Sequence, residues 1–341
     1  MIRDSLNRVA RVPMRRLASG GAILCFHSIT TPAAPAEGTA HVSLAAFKST
    51  IGLARCLGEL VPLSELVRRH EQGRSTAGLV AVTFDDAYAA LLSELKEFVS
   101  REGIPISVFV VTQAAEAGAT YWWDRIDDLF PRVTGERWRA FEAACGLPEE
   151  YRRRQPAALG PLRPLRQWLL AAYAGRWPSH LEPALLALER ESGLRTRHRS
   201  MTFAEISELA AIPSVEVGVH TVSHPVLPLL SDPDLTREIA AGYAELRSRL
   251  ATVLPILAVP FGLYDERTLR TARAAGLTAC LSVTGGNLAG DAHRYVLPRY
   301  CVTRHDTPAR LALCLVGVPE RVRRWRGLPL APYPELPSAT S

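Results

Sequence analysis

Short apolar runs alternate with segments of helical periodicity along most of this chain. The runs have the length and the Gly, Pro or Asp boundaries of buried strands, and the segments between them carry apolar residues at helical spacing. Strands that alternate with helices favour parallel pairing through helical crossovers. About seven such units predict a distorted (β/α)7-type barrel. The strand-like runs occupy residues 22–28, 78–84, 105–111, 215–219, 256–262, 278–283 and 295–302.

Shifts in composition divide the chain into parts. Residues 1–20 are predicted to form a basic N-terminal arm and residues 21–317 the barrel. At about 131–200 the barrel is interrupted by a stretch rich in Arg, Ala, Leu and Pro, which predicts a helical insertion. This insertion either covers the functional site or is an appendage whose arginines face solvent. Residues 318–341 are predicted to be a disordered, Pro/Arg-rich C-terminal tail.

The composition is that of a soluble globular protein, with 48% hydrophobic and 22% charged residues among 341. The net charge of +6 suits an anionic partner, but no nucleic-acid-binding motif accompanies it, so no nucleic acid is expected. The six cysteines form no CxxC pair, which favours buried thiols. With neither an export signal nor a membrane-spanning run visible, a cytoplasmic location is expected. Peripheral contact of residues 1–19 with an anionic membrane stays open. The oligomeric state is not predicted.

Polar side chains follow several of the predicted strands, where a barrel gathers its chemistry. Asp85 and Asp86 end one strand, His27 ends another, and His220 and His224 follow a third. Two imidazoles and one carboxylate suit a divalent transition metal, and a second carboxylate beside them can take a proton from water. Each feature alone has an ordinary explanation: an incidental HxxxH pair, a helix cap or a core histidine. Together, at the ends of separate strands, they predict a metal site.

Pro225 restricts the shape of the histidine segment, because the residue before proline avoids helical geometry. His224 is therefore expected in a tight loop or a single turn.

At this point the chain resembles the polysaccharide deacetylases, carbohydrate esterase family four, over about residues 22–302 apart from the insertion. The segment TFDDAY is similar to the first motif of that family, and HTVSH to the second. The segment AVPFG resembles the third motif in the branch that reads A-x-P-x-G. CFHS and YWWD resemble two further segments of bacterial members.

The resemblance implies a metal-dependent carbohydrate N-deacetylase, a hydrolase of linear amide bonds, with a metal-bound water as the nucleophile. It implies that Asp85 is the general base and that a divalent ion, zinc in the first place and cobalt or nickel otherwise, is bound by three residues: Asp86, His220 and His224. The implied groove is shaped by Pro260, Phe261 and Gly262, with a backbone N–H nearby for the oxyanion. A sugar-stacking wall with an acidic contact is expected from Trp122, Trp123 and Asp124, unless the tryptophans belong to the core.

Three departures from the family pattern bear on the mechanism. Ala87 stands where a glycine is usual, which is costly if φ is positive there. Ala258 replaces an arginine that pairs with the base, and Arg299 is the candidate to pair with Asp85 instead. The last family motif, which supplies the general acid, is not clean. Its role is open to His27, His293 and His305, with His27 favoured.

Four functions remain open at this stage, and the last in rank is a basic membrane-surface scaffold, which rests only on the net charge. The first is an N-deacetylase of an amino sugar or glycan precursor, such as a lipid-linked or nucleotide-linked sugar. The second keeps the metal site but removes another acyl group, such as formyl, from a different amide. The third is a catalytically decayed protein that only binds glycan. It is suggested by Ala87, by Ala258 and by the absence of a clean last motif.

Overall fold

A computed structural model describes residues 18, 20–30, 38–133, 135–150, 162–194, 196, 198–288 and 295–326 of the chain. Eleven strands are present in this part. They are β1 (Ala22–Phe26), β2 (Ser28–Thr30), β3 (His41–Ser43), β4 (Glu59–Leu60), β5 (Leu79–Phe84), β6 (Ile106–Val110), β7 (Val215–Val219), β8 (Ile256–Ala258), β9 (Ala279–Leu281), β10 (Val296–Leu297) and β11 (Tyr300–Cys301).

Helices connect the strands. They are α1 (Leu44–Leu57), α2 (Leu63–Glu71), α3 (Lys96–Glu102), α4 (Thr112–Ala117), α5 (Trp122–Leu129), α6 (Glu136–Ala144), α7 (Arg163–Tyr173), α8 (Glu182–Ser192), α9 (Phe203–Ala210), α10 (Asp232–Thr236), α11 (Gly242–Arg249), α12 (Glu266–Ala274), α13 (Pro308–Leu315) and α14 (Val318–Trp325). π-helical turns precede α3 and α11, at Leu91–Leu95 and Arg237–Ala241. Short 3-10 turns lie at Ser179–Leu181, Leu227–Leu229 and Pro260–Gly262.

The main sheet is parallel throughout and confirms the predicted barrel. Its order is β10-β9-β8-β7-β6-β5-β1-β11, with β4 added beside β5, and it curls into a distorted (β/α)7-type barrel surrounded by helices. β2 and β3 form a separate parallel pair. The strands β10 and β11 are the two ends of the sheet, and a bridge between Gly21 and Leu288 joins the segments that precede β1 and follow β9.

Strand alternation decides which side chains enter the barrel. β1, β5 and β6 are buried along their whole length, as expected for parallel strands covered on both faces. Successive side chains point to opposite faces, so Ala81 belongs to the small interior cluster, whereas Val82 and Phe84 pack in the layer between sheet and helices. The same alternation directs Thr83 and then Asp85 inward at the carboxyl end of β5.

The predicted insertion is helical in its described part and has a core of its own. Apolar residues of α5, α6, α7 and α8 form one buried cluster, to which Trp122 of α5 also belongs, so the cluster begins before residue 131. Arg125 ties α5 to α8, because its guanidinium donates to the carboxylates of Glu182 and Glu189 at 2.7–3.0 Å. The cluster therefore ties the described helices of the insertion to α5.

The two predicted terminal segments fall mostly outside the described residues. Of the arm at 1–20, only Ala18 and Gly20 are described, and of the tail at 318–341, residues 327–341 are not. The first part of that tail is the helix α14 rather than disordered chain. Among the helices of the described ranges, none is both long and apolar enough to cross a bilayer. The domain boundaries themselves stay predictions.

Candidate metal centre and active site

The carboxyl ends of the strands meet around one pocket of about 270 Å³. His27 follows β1, Asp85 and Asp86 follow β5, and His220 follows β7, and all four line this pocket. His224, from the loop after β7, joins them. The parallel sheet thus brings together residues that are almost 200 positions apart in the sequence.

Asp86, His220 and His224 converge on one point. The Nε2 atoms of His220 and His224 lie 3.6 and 3.5 Å from Oδ1 of Asp86. Ligand atoms about 2.1 Å from one tetrahedral zinc ion are roughly 3.4 Å apart, so these spacings fit a single divalent cation. All three side chains are buried.

The hydrogen bonding around these atoms also fits a metal. Oδ1 of Asp86 is buried and has no hydrogen-bond partner among the described residues, which is costly unless something else satisfies it. Nδ1 of His220 lies 2.7 Å from the carbonyl oxygen of Ala258, which fixes the tautomer that leaves Nε2 free to bind. Burial and then the nearby Asp85 carboxylate raise the pKa of Asp86. A cation between the three side chains removes this penalty.

Strained backbone places several of these groups. Asp86, Ala87 and His224 have φ values of 67°, 48° and 58°, a region that side-chain-bearing residues rarely adopt. Such strain collects where the surroundings fix a functional geometry. His224 lies in a loop rather than in a helix, as Pro225 predicts. Ala87 has the positive φ that was expected to be costly for a residue with a side chain.

Asp85 is held in a different environment from its neighbour. Nη1 and Nη2 of Arg299 donate to its two oxygens at 2.7 and 2.6 Å, and both side chains are buried. Burial by itself raises the pKa of Asp85, but the Arg299 charge outweighs burial and holds that pKa well below its ordinary value. The two adjacent carboxylates therefore differ: Arg299 lowers the pKa of Asp85, whereas burial and the Asp85 carboxylate raise the pKa of Asp86.

Cys25 and His27 stand on the far side of Asp85. Sγ of Cys25 lies 3.5 Å from Oδ2 of Asp85, and Cys25, His27 and Asp85 are close enough to suggest a second metal cluster. The Arg299 guanidinium already occupies both oxygens of Asp85, so a cation there would meet a fixed positive charge. Burial lowers the pKa of His27 to about 4, which keeps its ring neutral near pH 7.

The predicted aromatic wall is partly core. Trp122 packs in the cluster of the insertion, and its Nε1 donates to the carbonyl oxygen of Gly175 at 3.0 Å. Trp123 lies nearer the metal triad, with its ring centroid 4.8 Å from that of His224. Asp124 is buried and its oxygens bond to Tyr88 and His41, so the carboxylate is already engaged by protein groups. All three residues line the pocket, while their contacts with substrate stay predictions.

The turn after β8 forms another wall of the pocket. Phe261 has a φ of 57°, and its ring centroid lies 4.5 Å from that of His224. Gly262 allows close packing, because a Cβ there would lie 2.3 Å from a methyl carbon of Val283. The N–H of Gly262 donates to the carbonyl oxygen of Val259, and Pro260 has no N–H. Of the predicted trio, Phe261 is thus the residue that faces the pocket.

Sequence reasoning missed several residues of the site. His41, Tyr88, Asp127, Arg166 and Cys301 line the same pocket. Tyr88 ends the TFDDAY segment but was given no role of its own, and no signal in the sequence would have singled out His41. Arg166 comes from α7 in the insertion and contacts Asp127, so the insertion contributes to the pocket.

The other candidates for the general acid lie elsewhere. His305 is exposed in the loop before α13, and His293 lies outside the described residues. Of the two candidates that are described, His27 lines the pocket and His305 does not.

Comparison with known proteins gives one family match and several structures of similar fold. Residues 194–280 match the family model described as polysaccharide deacetylase, a segment that contains both metal-site histidines and the turn after β8. No curated protein matches the chain. The Streptococcus pyogenes deacetylase PplD, solved in complex with acetate, is 14% identical with a TM-score of 0.56, over 86% of this chain and 97% of its own.

Two further solved structures are similar. IcaB from Ammonifex degensii is 17% identical with a TM-score of 0.56, over 88% of this chain and 98% of its own. A de-N-acetylase from Aggregatibacter actinomycetemcomitans is 12% identical with a TM-score of 0.52, over 86% and 99%. At these identities the likeness concerns the fold: the chain carries a polysaccharide deacetylase domain match and the barrel seen in those deacetylases.

Proposed function

We propose that this protein is a metal-dependent carbohydrate deacetylase that removes an N-acetyl group from an amino sugar or glycan precursor. The convergence of Asp86, His220 and His224, beside a second carboxylate that Arg299 keeps ionised, is the observation that carries the proposal. The domain match and the deacetylases of like fold support the same reaction class.

Asp86, His220 and His224 would hold the cation. A divalent ion bound there polarises the acetyl carbonyl and lowers the pKa of water. The imidazole-rich donor set suits zinc first, and cobalt or nickel otherwise. Asp85 removes a proton from the attacking water, and the bidentate contact with Arg299 fixes both the charge and the direction of that carboxylate.

The size of the pocket favours a small substrate. About 270 Å³ is at the lower end of ligand pockets, and Arg166 and Leu170 of the insertion line it. We therefore propose that one amino-sugar residue enters, from a precursor or from a chain end.

Of the three departures that motivate a decayed protein, the one at Ala258 has a structural compensation. Arg299 reaches Asp85 from the segment before β11, which restores the pairing that Ala258 does not supply. Ala87 adopts its positive φ in a buried position, at the cost of strain. The pair formed by Arg299 and Asp85 favours an enzyme over a protein that only binds glycan.

The test is acetate release by zinc-, cobalt- or nickel-loaded protein. N-acetylglucosamine oligomers, nucleotide-linked N-acetylglucosamine and the matching N-formyl sugars are the substrates, and Asp85→Asn is the control. We expect acetate from an N-acetyl substrate and a loss of about 100-fold or more in Asp85→Asn. Release of formate alone would support the second acyl class, and glycan binding without turnover would support the decayed class.

We also propose a cytoplasmic location with peripheral contact to anionic membrane. The contact is now assigned to α14, where Val322 and Trp325 are exposed among several arginines. Fractionation of the native host with an antibody against the chain tests the location.

A further inference from the structure

A second polar pair lies on the wall of the pocket, outside the metal triad. His41, at the start of β3, and Asp124, in the first turn of α5, are joined by a contact of 2.7 Å between Nε2 and Oδ1. Each side chain is about 2% exposed. Burying two such groups is costly unless they satisfy each other, so the pair is a built feature of the fold.

Asp124 is fixed by further hydrogen bonds. The hydroxyl of Tyr88 donates to Oδ2 of Asp124 at 2.6 Å, and Nε1 of Trp123 donates to the Tyr88 oxygen at 3.1 Å. With one oxygen accepting from Tyr88, the other accepts from the His41 ring. His41 therefore carries its neutral-state proton on Nε2.

The other ring nitrogen of His41 is left for the pocket. Nδ1 is buried and has no hydrogen-bond partner among the described residues, and His41 lines the pocket. An oriented imidazole with a carboxylate on one nitrogen and a free second nitrogen is the arrangement that transfers protons in many hydrolases, because the carboxylate stabilises the imidazolium. Nδ1, which no described protein group engages, is thus the ring nitrogen available to exchange a proton with a bound molecule.

The surroundings hold the ring in position. A Cβ at Gly38 would lie 2.7 Å from Cδ2 of His41 and 3.0 Å from Oδ2 of Asp127. The backbone at Gly38 therefore packs closely against both side chains. The ring centroid of His198 lies 4.6 Å from that of His41. The groups that face the imidazole are therefore Asp124, Asp127, Tyr88 and His198.

We propose that His41, oriented by Asp124, protonates the leaving amine. The inference rests on the proposed deacetylation. As the acetyl C–N bond breaks, its electron pair stays on nitrogen and takes the proton from Nδ1, which leaves His41 neutral. The proton that Asp85 removed from water returns through solvent to Nδ1, so that each turnover consumes one amide and one water.

The experiment compares two leaving groups. An amine must be protonated to depart, whereas 4-nitrophenolate departs without a proton. For His41→Gln and Asp124→Asn we expect kcat/KM on the N-acetyl sugar to fall about 100-fold or more, and kcat/KM on 4-nitrophenyl acetate to change by less than about 3-fold. Asp85→Asn should impair both reactions, and His305→Ala, on an exposed loop, should impair neither.

If kcat/KM of His41→Gln and Asp124→Asn fell equally on both substrates, the two residues would have a structural role and the proposal would be overturned. A selective loss in His27→Ala but not in His41→Gln would assign the proton donor to His27 instead. Absence of sugar deacetylation by metal-loaded wild type would instead sink the proposed function, and the proton donor with it.

A readout without turnover separates these failures. Nitrogen-15 NMR of the imidazoles should show neutral His41 protonated on Nε2 in the wild type and a mixed tautomer in Asp124→Asn. Protonation on Nδ1 in the wild type contradicts the geometry whatever the activity.

Discussion

The guanidinium of Arg299 and the carboxylate of Asp85 form two parallel hydrogen bonds, of 2.7 and 2.6 Å, and Oδ2 of Asp85 lies 3.9 Å from Nε2 of His220. Nε of Arg299 donates to the carbonyl oxygen of Ser282, and Nη1 also contacts the hydroxyl of Thr83. The arginine is fully buried, and each of its three guanidinium nitrogens donates a hydrogen bond to the protein. It supplies a fixed positive charge to the proposed base, and its loss tests that role.

Removing Arg299 is expected to impair both activity and folding. Arg299→Ala leaves a buried carboxylate without a counter-charge, a change that costs about 3–5 kcal/mol of unfolding free energy. Burial then raises the pKa of Asp85, which Arg299 holds low in the wild type. Because the base acts when ionised, the acid limb of the pH–rate profile moves to higher pH. Urea unfolding and kcat/KM between pH 5 and pH 9 are the measurements.

Arg299→Lys is the matched variant, since it keeps the charge but loses the bidentate geometry. We expect a smaller shift of the acid limb than in Arg299→Ala. A turnover and a pH profile equal to those of the wild type in both variants would remove Arg299 from the mechanism.

The alternating strands and helices were predictable from the sequence. Most side-chain contacts between distant elements were not. The continuous apolar run at 78–84 predicts β5, because a strand covered on both faces excludes water along its whole length. The proposed metal triad could be predicted from the motifs, because the carboxyl ends of β5 and β7 lie at the same edge of a parallel sheet. The pairing of Arg299 with Asp85 could only be suggested, because it depends on how far the sheet curls.

His41 shows where sequence reasoning stops. It lies outside the motifs, and its partner Asp124 is 83 positions away on the helix that begins the insertion. The YWWD segment was expected to meet a sugar with its acid, but the fold places that acid against His41 and Tyr88. Only the packing of the insertion on the barrel brings them together.

Metal binding should be stoichiometric and should stabilise the fold. We expect one divalent ion per chain, retained by the wild type and lost from His220→Ala and His224→Ala, since each removes one of three ligands. At a free metal concentration 100 times the dissociation constant, binding adds about 2.7 kcal/mol to the unfolding free energy. Metal analysis after dialysis and the melting temperature with and without zinc test this.

His305→Ala is the control for those variants, because that residue is exposed and away from the triad. Wild-type protein that melts at the same temperature with and without each of the three metals would contradict the ligand set.

Ala87 should tolerate glycine better than a buried alanine normally does. A residue with a side chain in the left-handed region costs about 1–2 kcal/mol, which glycine avoids. Against this, Ala87→Gly loses a buried methyl group, about 0.8 kcal/mol, and gains about 0.5–1 kcal/mol of chain entropy in the unfolded state. We expect the unfolding free energy to change by less than about 1 kcal/mol.

The matched variant is Ala115→Gly in α4, another fully buried alanine but with no positive φ. There the methyl and helix-propensity terms add to about 2 kcal/mol of destabilisation. Equal losses for the two variants in urea unfolding would mean that strain at Ala87 has no energetic consequence.

The helix α14 is expected to contact anionic lipid. Trp325 is 84% exposed and Val322 is 42% exposed, three residues apart on one side of a helix that also carries Arg321 and Arg323, and Arg326 follows its last residue. An indole suits the interfacial region of a bilayer, and each arginine near an anionic surface adds about 1 kcal/mol of attraction. We expect sedimentation with vesicles that contain phosphatidylglycerol and little with pure phosphatidylcholine.

Trp325→Ala should weaken binding to the phosphatidylglycerol vesicles several-fold. The control is Leu186→Ala, at an exposed apolar residue of α8, which should not weaken it. If Trp325→Ala binds as well as the wild type, α14 is not the contact, and equal binding to both lipids rules out a charge-driven one.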